Sequence, residues 1–325
     1  MAHEKQTRAL WYMGEGECAL KGEILPDMTA GNVLVRTLWS GISRGTERLV
    51  FEGRVPASEQ DRMRCPHQQG QFPFPVKYGY CAVGLVEAGP DEFMGQTIFA
   101  LHPHQERFVV PASAVTLVPE GLSPRRAVLA ANMETALNGL WDAQAGPGDR
   151  IVVVGGGVLG LLVASLAAGL PEADVTLVDV DASRQLLADH LGFGFALPGQ
   201  APEEADIVIH TSATGAGLAT AITAAGMEAT VLELSWHGAG DIPVALGGAF
   251  HAKRLRLISS QVGQVSPSRR PRWTYARRLA KALELLRDDR LDALITIEIA
   301  FENAPAALPA LFAPGAAGLT AVLRY

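Results

Sequence analysis

The hydrophobic pattern of the chain falls into two textures. From residue 150 onward, short apolar runs recur with helix-length segments between them. Ile151–Val154 is an unbroken apolar run, as expected of a strand covered on both faces, and an apolar helix follows it through Ala168. Further strands are expected at 175–179, 206–210, 230–234 and 255–259, with a closing helix from Arg272 to Asp288. This alternation predicts a doubly wound parallel α/β sheet. The N-terminal part of the chain is patterned differently. Runs at Ala9–Tyr12, Glu23–Leu25, Asn32–Trp39, Val76–Glu87, Gln96–Leu101 and Arg107–Pro111 are short and split by Gly and Pro, which predicts a small barrel-like β domain. Ser40–Glu47 reads as a polar, glycine-punctuated loop, residues 52–75 as an irregular excursion, and Arg125–Trp141 as one uninterrupted helix. The tail returns to strand at Ala293–Ala300, then to a Pro/Ala helix and a last strand, Thr320–Tyr325. The simplest organisation has residues 1–124 and 292–325 forming the β-rich domain, with 125–291 inserted as the parallel-sheet domain.

The junction after Val154 carries the clearest chemistry. Gly155, Gly157 and Gly160 satisfy G-x-G-x-x-G between a strand and a helix. In that setting the first glycine allows the tight turn and the second lets a pyrophosphate approach the backbone. The third lets helix and strand pack closely. Val158 and Leu159 then open the helix, whose free N–H groups and partial positive charge suit a diphosphate. The second strand ends in Asp179, 19 positions beyond Gly160, where a dinucleotide site needs a carboxylate for the adenine ribose hydroxyls. A helix-capping role fits Asp181 better. Asp179 and the neighbouring Val180 are therefore expected at a cofactor, and the carboxylates of Asp179 and Asp181 would repel the 2′-phosphate of NADP(H). Arg184 is the nearby cation. NAD(H) is the expected dinucleotide, with NADP(H) the alternative.

Composition narrows the partners. The 325-residue chain has a formal net charge of −7 with mixed signs, so neither nucleic acid nor a membrane surface is expected to bind. Arg269, Arg270 and Arg272 read as a solvated loop before a helix, or as a contact for a substrate anion. Cys18, Cys65 and Cys81 form no disulfide framework. The first residues lack the apolar core of a signal peptide, so a soluble, cytoplasmic protein is expected.

Two further segments carry a family resemblance. Ser40-Gly-Ile-Ser-Arg-Gly-Thr-Glu47 resembles the G-I-C-x-(S/T)-D loop of the medium-chain dehydrogenase/reductase superfamily. Pro75-Val-Lys-Tyr-Gly-Tyr-Cys-Ala-Val-Gly-Leu-Val-Glu-Ala-Gly89 resembles its P-x-x-x-G-H-E-x-x-G-x-V-x-x-x-G run. The loop is most similar to the branch containing hydroxyethyl bacteriochlorophyllide dehydrogenases. The resemblance implies a GroES-like catalytic domain plus a Rossmann domain, a small-molecule alcohol or carbonyl substrate, and a homodimer joined at Rossmann sheet edges near Leu255–Ile258.

The departures bear on mechanism. Zinc-dependent members place a Cys at Ser43, a His at Tyr80 and a third ligand near Ala131, and hydroxyl, phenol and methyl do not make a zinc site. No catalytic zinc is therefore expected. An alternative metal set drawn from Cys65, His67, Cys81, His102 and His104 is irregularly spaced. Without zinc, a hydroxyl or imidazole must handle the alcohol proton. The candidates are Tyr80, Ser43 and His104, and a tyrosine in this role needs its phenol pKa lowered by a nearby cation, the nicotinamide or Arg44. By the same resemblance Thr135 touches the nicotinamide ribose region and Ser212 and Ala213 flank the adenosine. Ser235 and Trp236 follow a later strand at the ligand-binding edge. The expected function is a zinc-independent, NAD(H)-dependent alcohol/carbonyl oxidoreductase. Its rivals are an NADPH-dependent reductase of an activated C=C bond and a catalytically silent dinucleotide-binding sensor.

Overall fold

A computed structural model describes residues 6–238 and 240–325. Contacts divide the chain into two compact units, one up to Ala131 together with Leu283–Tyr325, the other Asn132–Ala282. These limits lie several residues inside the 125–291 insertion expected from the sequence.

The second unit is built on six parallel strands. Across the sheet they run Gly194–Ala196, Asp174–Val178, Arg150–Val154, Ala205–His210, Ala225–Glu233 and Arg256–Ser259, which in chain order is 3-2-1-4-5-6. This is the doubly wound dinucleotide-binding order, whose switch point falls between Arg150–Val154 and Ala205–His210. Ile151–Val154 is buried throughout, with Val153 fully so. The third strand, Gly194–Ala196, has three residues and escaped the apolar pattern. Arg256–Ser259 lies at the edge, and three of its four residues are exposed, so the buried strand expected there is instead a solvent-facing one.

The first unit is antiparallel at its heart. Asn32–Ile42 pairs with Ala82–Ala88, Arg107–Pro111 and Thr320–Arg324, and Thr320–Arg324 pairs in turn with Ile295–Ala300. The tail of the chain thus completes the sheet begun near its start. A smaller sheet joins Glu17–Ile24, Gln6–Gly14, Val76–Lys77 and Gln69–Gly70.

Two expectations are corrected. Ser40–Glu47 is not a loop. Its first residues finish the strand Asn32–Ile42, and the rest opens the helix Arg44–Phe51. The reason is local. Glu47 reaches back so that Oε1 accepts from the backbone N–H of Ser43 at 2.7 Å, while Val50 and Phe51 bury the helix face. Arg125–Trp141 is likewise not one helix. It is Pro124–Ala127 followed by Ala130–Ala143, with the Leu129 N–H turned to Arg126 O at the break. Among the described residues, no helix is long and apolar enough to cross a membrane.

Candidate functional site

In the second unit, the three motif glycines are distinguished by the space around them. Gly155 has φ +115°, and an added Cβ would lie 2.7 Å from the Ser212 nitrogen. At Gly160 an added Cβ would lie 1.8 Å from the Gly155 carbonyl oxygen. Both positions exclude a side chain. At Gly157, which caps the helix Val158–Ala168, nothing lies within 4 Å of the same atom. That open space, bordered by the first N–H groups of the helix, fits a diphosphate. Val158 and Leu159 belong to the first turn, where Leu159 is half-buried.

Asp179 follows the strand Asp174–Val178. Its Oδ2 accepts from the Gly156 N–H at 2.5 Å and its Oδ1 from the Asp181 N–H at 2.8 Å, so the carboxylate is fixed beside the glycine turn. Val180 is 83% exposed and offers an apolar face next to it. Arg184 pairs with Asp181 at 3.3 Å.

At the carboxyl ends of the next two strands, Ser212, Ala213 and Ser235 are brought together. The Ala213 N–H donates to Ser235 Oγ at 3.0 Å, with Ala213 in the left-handed region at φ 53°. Ser212 Oγ lies 2.7 Å from His210 Nε2 and 3.0 Å from Thr214 Oγ1. Gly217 makes room for this cluster, since an added Cβ would meet Ser212 Oγ at 2.0 Å. Trp236 follows and is 39% exposed. Thr135 lies on the helix Ala130–Ala143.

The first unit gathers the three residues expected to handle protons around one residue that carried no expected role. Glu47 is 1% exposed. Its Oε2 accepts from the Tyr12 hydroxyl at 2.7 Å and lies 2.9 Å from His104 Nε2. His104 Nδ1 is 2.7 Å from Ser40 Oγ, which is 2.9 Å from the Tyr325 hydroxyl. A buried chain of five polar groups results, running from Tyr12 through Glu47, His104 and Ser40 to Tyr325. Gly79 permits it. With φ +128°, an added Cβ would sit 2.9 Å from the His104 ring.

His104 is fully buried and both its nitrogens are engaged, one by Glu47 and the other by Ser40. Tyr80 is half-buried and hydrogen-bonded to the side chains of Ser43 and Thr46. Its pKa is not lowered, as a role as base would require, but raised. Burial is the main cause and Cys81 adds to it, against the two hydroxyl hydrogen bonds. The expected cation, Arg44, donates to the carbonyl oxygens of Ala316, Ala317 and Gly318. Its surroundings thus hold Tyr80 as a neutral phenol.

The alternative metal set does not converge. His67 stacks on His102 with ring centroids 5.4 Å apart, and His102 stacks on Phe108 at 3.9 Å. Burial pushes the His102 imidazole down to about 3 and the Cys65 thiol up to about 12, so neither charged form is favoured. Among the described residues, the group of three side chains able to hold one ion is instead His210, Glu233 and His237.

Three of the residues above were within reach of the sequence. Glu47 stands four positions after Ser43, the helical spacing that a loop reading of the segment hid. Glu233 and His237 share that spacing, but their meeting with His210 depends on strand order. Tyr12, Ser40 and Tyr325 carried no local signal.

No family model matches the sequence. D-guloside 3-dehydrogenase of Escherichia coli (strain K12) is 24% identical over 307 residues, covering 85% of this chain and 87% of that protein. Among solved structures, a protein of Sinorhizobium meliloti 1021 described as a zinc-binding dehydrogenase and bound to NADP superposes with TM-score 0.79. It is 18% identical, over 99% of this chain and 100% of that one. An alcohol dehydrogenase of Escherichia coli CFT073 complexed with NADH gives TM-score 0.78 at 16% identity, over 99% and 100%.

Proposed function

We infer that this chain, which has the GroES-like plus Rossmann fold of the medium-chain dehydrogenases/reductases, is a nicotinamide-dependent oxidoreductase interconverting an alcohol and a carbonyl. The observation that carries the reading is the glycine cradle of the second unit. Gly155 and Gly160 exclude any side chain while Gly157 opens onto free space beside a helix N-terminus, and Asp179 is fixed next to them. The D-guloside 3-dehydrogenase relative supports a secondary alcohol of a sugar or polyol as the substrate class.

The chain's residues fit the dinucleotide. Gly157, Val158 and Leu159 would hold the diphosphate through backbone N–H groups. Asp179 would accept from the adenosine ribose, Val180 would lie against the adenine, and Ser212, Ala213, Ser235, Trp236 and Thr135 would line the remainder. The carboxylates of Asp179 and Asp181 favour NAD(H) over NADP(H) by repelling a 2′-phosphate. The chemistry supplied by the dinucleotide when bound is hydride transfer.

A zinc ion in the superfamily's catalytic position does not fit this donor set. Ser43 and Tyr80 offer hydroxyls already engaged with one another, where thiolate and imidazole are required. Proton handling therefore falls to the side chains. Tyr80, held as a neutral phenol against Ser43 and Thr46, would donate its proton to the carbonyl oxygen as the hydride arrives during reduction, and the phenolate left behind is reprotonated from solvent. Glu47 and His104 act as positioning residues, Glu47 fixing the backbone of Ser43 and His104 fixing Glu47. The exposed edge strand Arg256–Ser259 is the surface through which two copies would pair.

The test is a screen of polyols and glycosides for NAD⁺ reduction, run beside Tyr80→Phe. Turnover on at least one secondary alcohol, lost in the variant, supports the reading. NADPH-dependent reduction of activated alkenes would replace it with a C=C reductase, and dinucleotide binding without turnover on any substrate would replace it with a sensor.

A further inference from the structure

We propose that His210, Glu233 and His237 form a divalent transition-metal site in the parallel-sheet unit, distinct from the zinc position of the superfamily. The proposal does not depend on the activity inferred above. His210 and Glu233 are register partners at the carboxyl ends of adjacent parallel strands, and His237 follows Glu233 by four residues. One donor atom from each lies within 4.8 Å of the others. Glu233 Oε2 is 2.7 Å from His210 Nδ1 and 3.4 Å from His237 Nε2. These separations bracket the roughly 3.3 Å edge expected of a tetrahedron with bonds of about 2.0–2.1 Å.

Three observations single the group out. First, both ring nitrogens of His237 are closed to solvent and without a hydrogen-bond partner, although the ring sits beside a carboxylate. A buried imidazole with two idle nitrogens wants a partner, and an ion between it and Glu233 supplies one. Second, the outer partners of a metal site are already in place. His210 Nε2 lies 2.7 Å from Ser212 Oγ, so Nδ1 can turn its lone pair to an ion while Nε2–H donates to the serine. Glu233 Oε1 accepts from the Ser235 N–H at 2.8 Å, which leaves Oε2 to ligate. Third, the ligands come from two kinds of segment: His210 is fully buried in a strand, whereas His237 lies in the segment after a strand.

Two imidazoles and one carboxylate select a borderline cation such as Zn²⁺ or Co²⁺ over Mg²⁺ or Ca²⁺, which prefer all-oxygen shells. Three protein ligands leave a fourth position open to water or to a ligand atom.

Cobalt is the probe. The untagged 325-residue chain, stripped with a chelator and dialysed, is titrated with Co²⁺ while visible d–d bands are recorded, and Zn²⁺ is then added. The expected result is one equivalent of low-symmetry Co²⁺ per chain, displaced by Zn²⁺. His237→Ala should weaken binding on the order of a hundredfold while retaining the wild-type melting temperature of the stripped protein. His210→Asn provides a second variant, and Cys65→Ser with His67→Ala should bind as the wild type does. Absence of bands at excess Co²⁺ overturns the proposal, as do bands that survive both His237→Ala and Glu233→Gln.

Discussion

Replacing Gly160 by Ala tests the cradle most severely. The added Cβ would lie 1.8 Å from the Gly155 carbonyl oxygen and 2.7 Å from Thr211 Oγ1, whereas ordinary contact begins at 3.4 Å. Relief requires helix Val158–Ala168 and the glycine turn to separate by about 1.6 Å, close to the rise of one helical residue. Overpacking of this kind costs about 1–3 kcal/mol, or roughly 2–5 °C in melting temperature for a protein of this size. The same displacement carries the helix N–H groups out of hydrogen-bond range of a diphosphate. Two charge-assisted bonds at about 1.5–3 kcal/mol each make the expected loss of NADH affinity more than about a hundredfold. Gly157→Ala is the internal control, because its Cβ meets nothing within 4 Å and its φ of −74° suits alanine. It should lower the melting temperature by no more than about 3 °C, since only a helix cap is weakened, yet weaken NADH by blocking the diphosphate. Differential scanning fluorimetry and NADH fluorescence titration on both variants make the comparison. Wild-type stability and affinity in Gly160→Ala, or wild-type affinity in Gly157→Ala, would refute the reasoning.

Asp179→Ser should weaken NADH by about 10–100-fold and narrow or reverse its advantage over NADPH in the same titration. Tyr80→Phe should lower turnover by about 10²–10⁴-fold with little change in melting temperature, and because burial raises the phenol's pKa the wild-type rate profile should show no ionisation of Tyr80 near neutrality. His102 titrates near 3 in the folded protein against about 6.5 when unfolded, so the unfolded chain binds its proton first. Its contribution to stability is complete above about pH 6.5 and declines by up to about 1.4 kcal/mol per unit as pH falls toward 3, so His102→Gln should flatten the acid limb of a urea-denaturation pH series. Arg278 is buried, donating to Glu134 Oε1 at 3.0 Å and Asn138 Oδ1 at 2.6 Å, and burial raises the Glu134 carboxyl. Arg278→Leu should cost about 3–5 kcal/mol by the same denaturation measurement.

The parallel-sheet unit was legible because its central strand is apolar on both faces and its turn needs glycine at fixed spacing. Ile151–Val154 and Gly155–Gly160 carry that information within ten residues. The three-residue strand Gly194–Ala196 was not legible, since so short a run has no period to read. The Ser40–Glu47 segment was misread because what makes it helical is one side chain folding back onto Ser43, while its glycines and serines argued for a loop. The chain of polar groups around Glu47 was hidden for another reason. Tyr12, His104 and Tyr325 lie far apart in sequence, and only strand pairing brings them to Glu47 and Ser40. The lowered pKa that Tyr80 would need does not come from Arg44, which spends donors on the Ala316–Gly318 carbonyls although it stands close in sequence to Ser43.

The central claim is a zinc-free site in a dinucleotide-binding oxidoreductase that prefers NAD(H). Titration of chelator-treated protein with NADH and with NADPH, read by nicotinamide fluorescence, tests it most directly. The account predicts one NADH bound per chain without added metal, at least about tenfold more tightly than NADPH. Binding of neither dinucleotide, tighter binding of NADPH, or binding of NADH only after zinc is restored would contradict it.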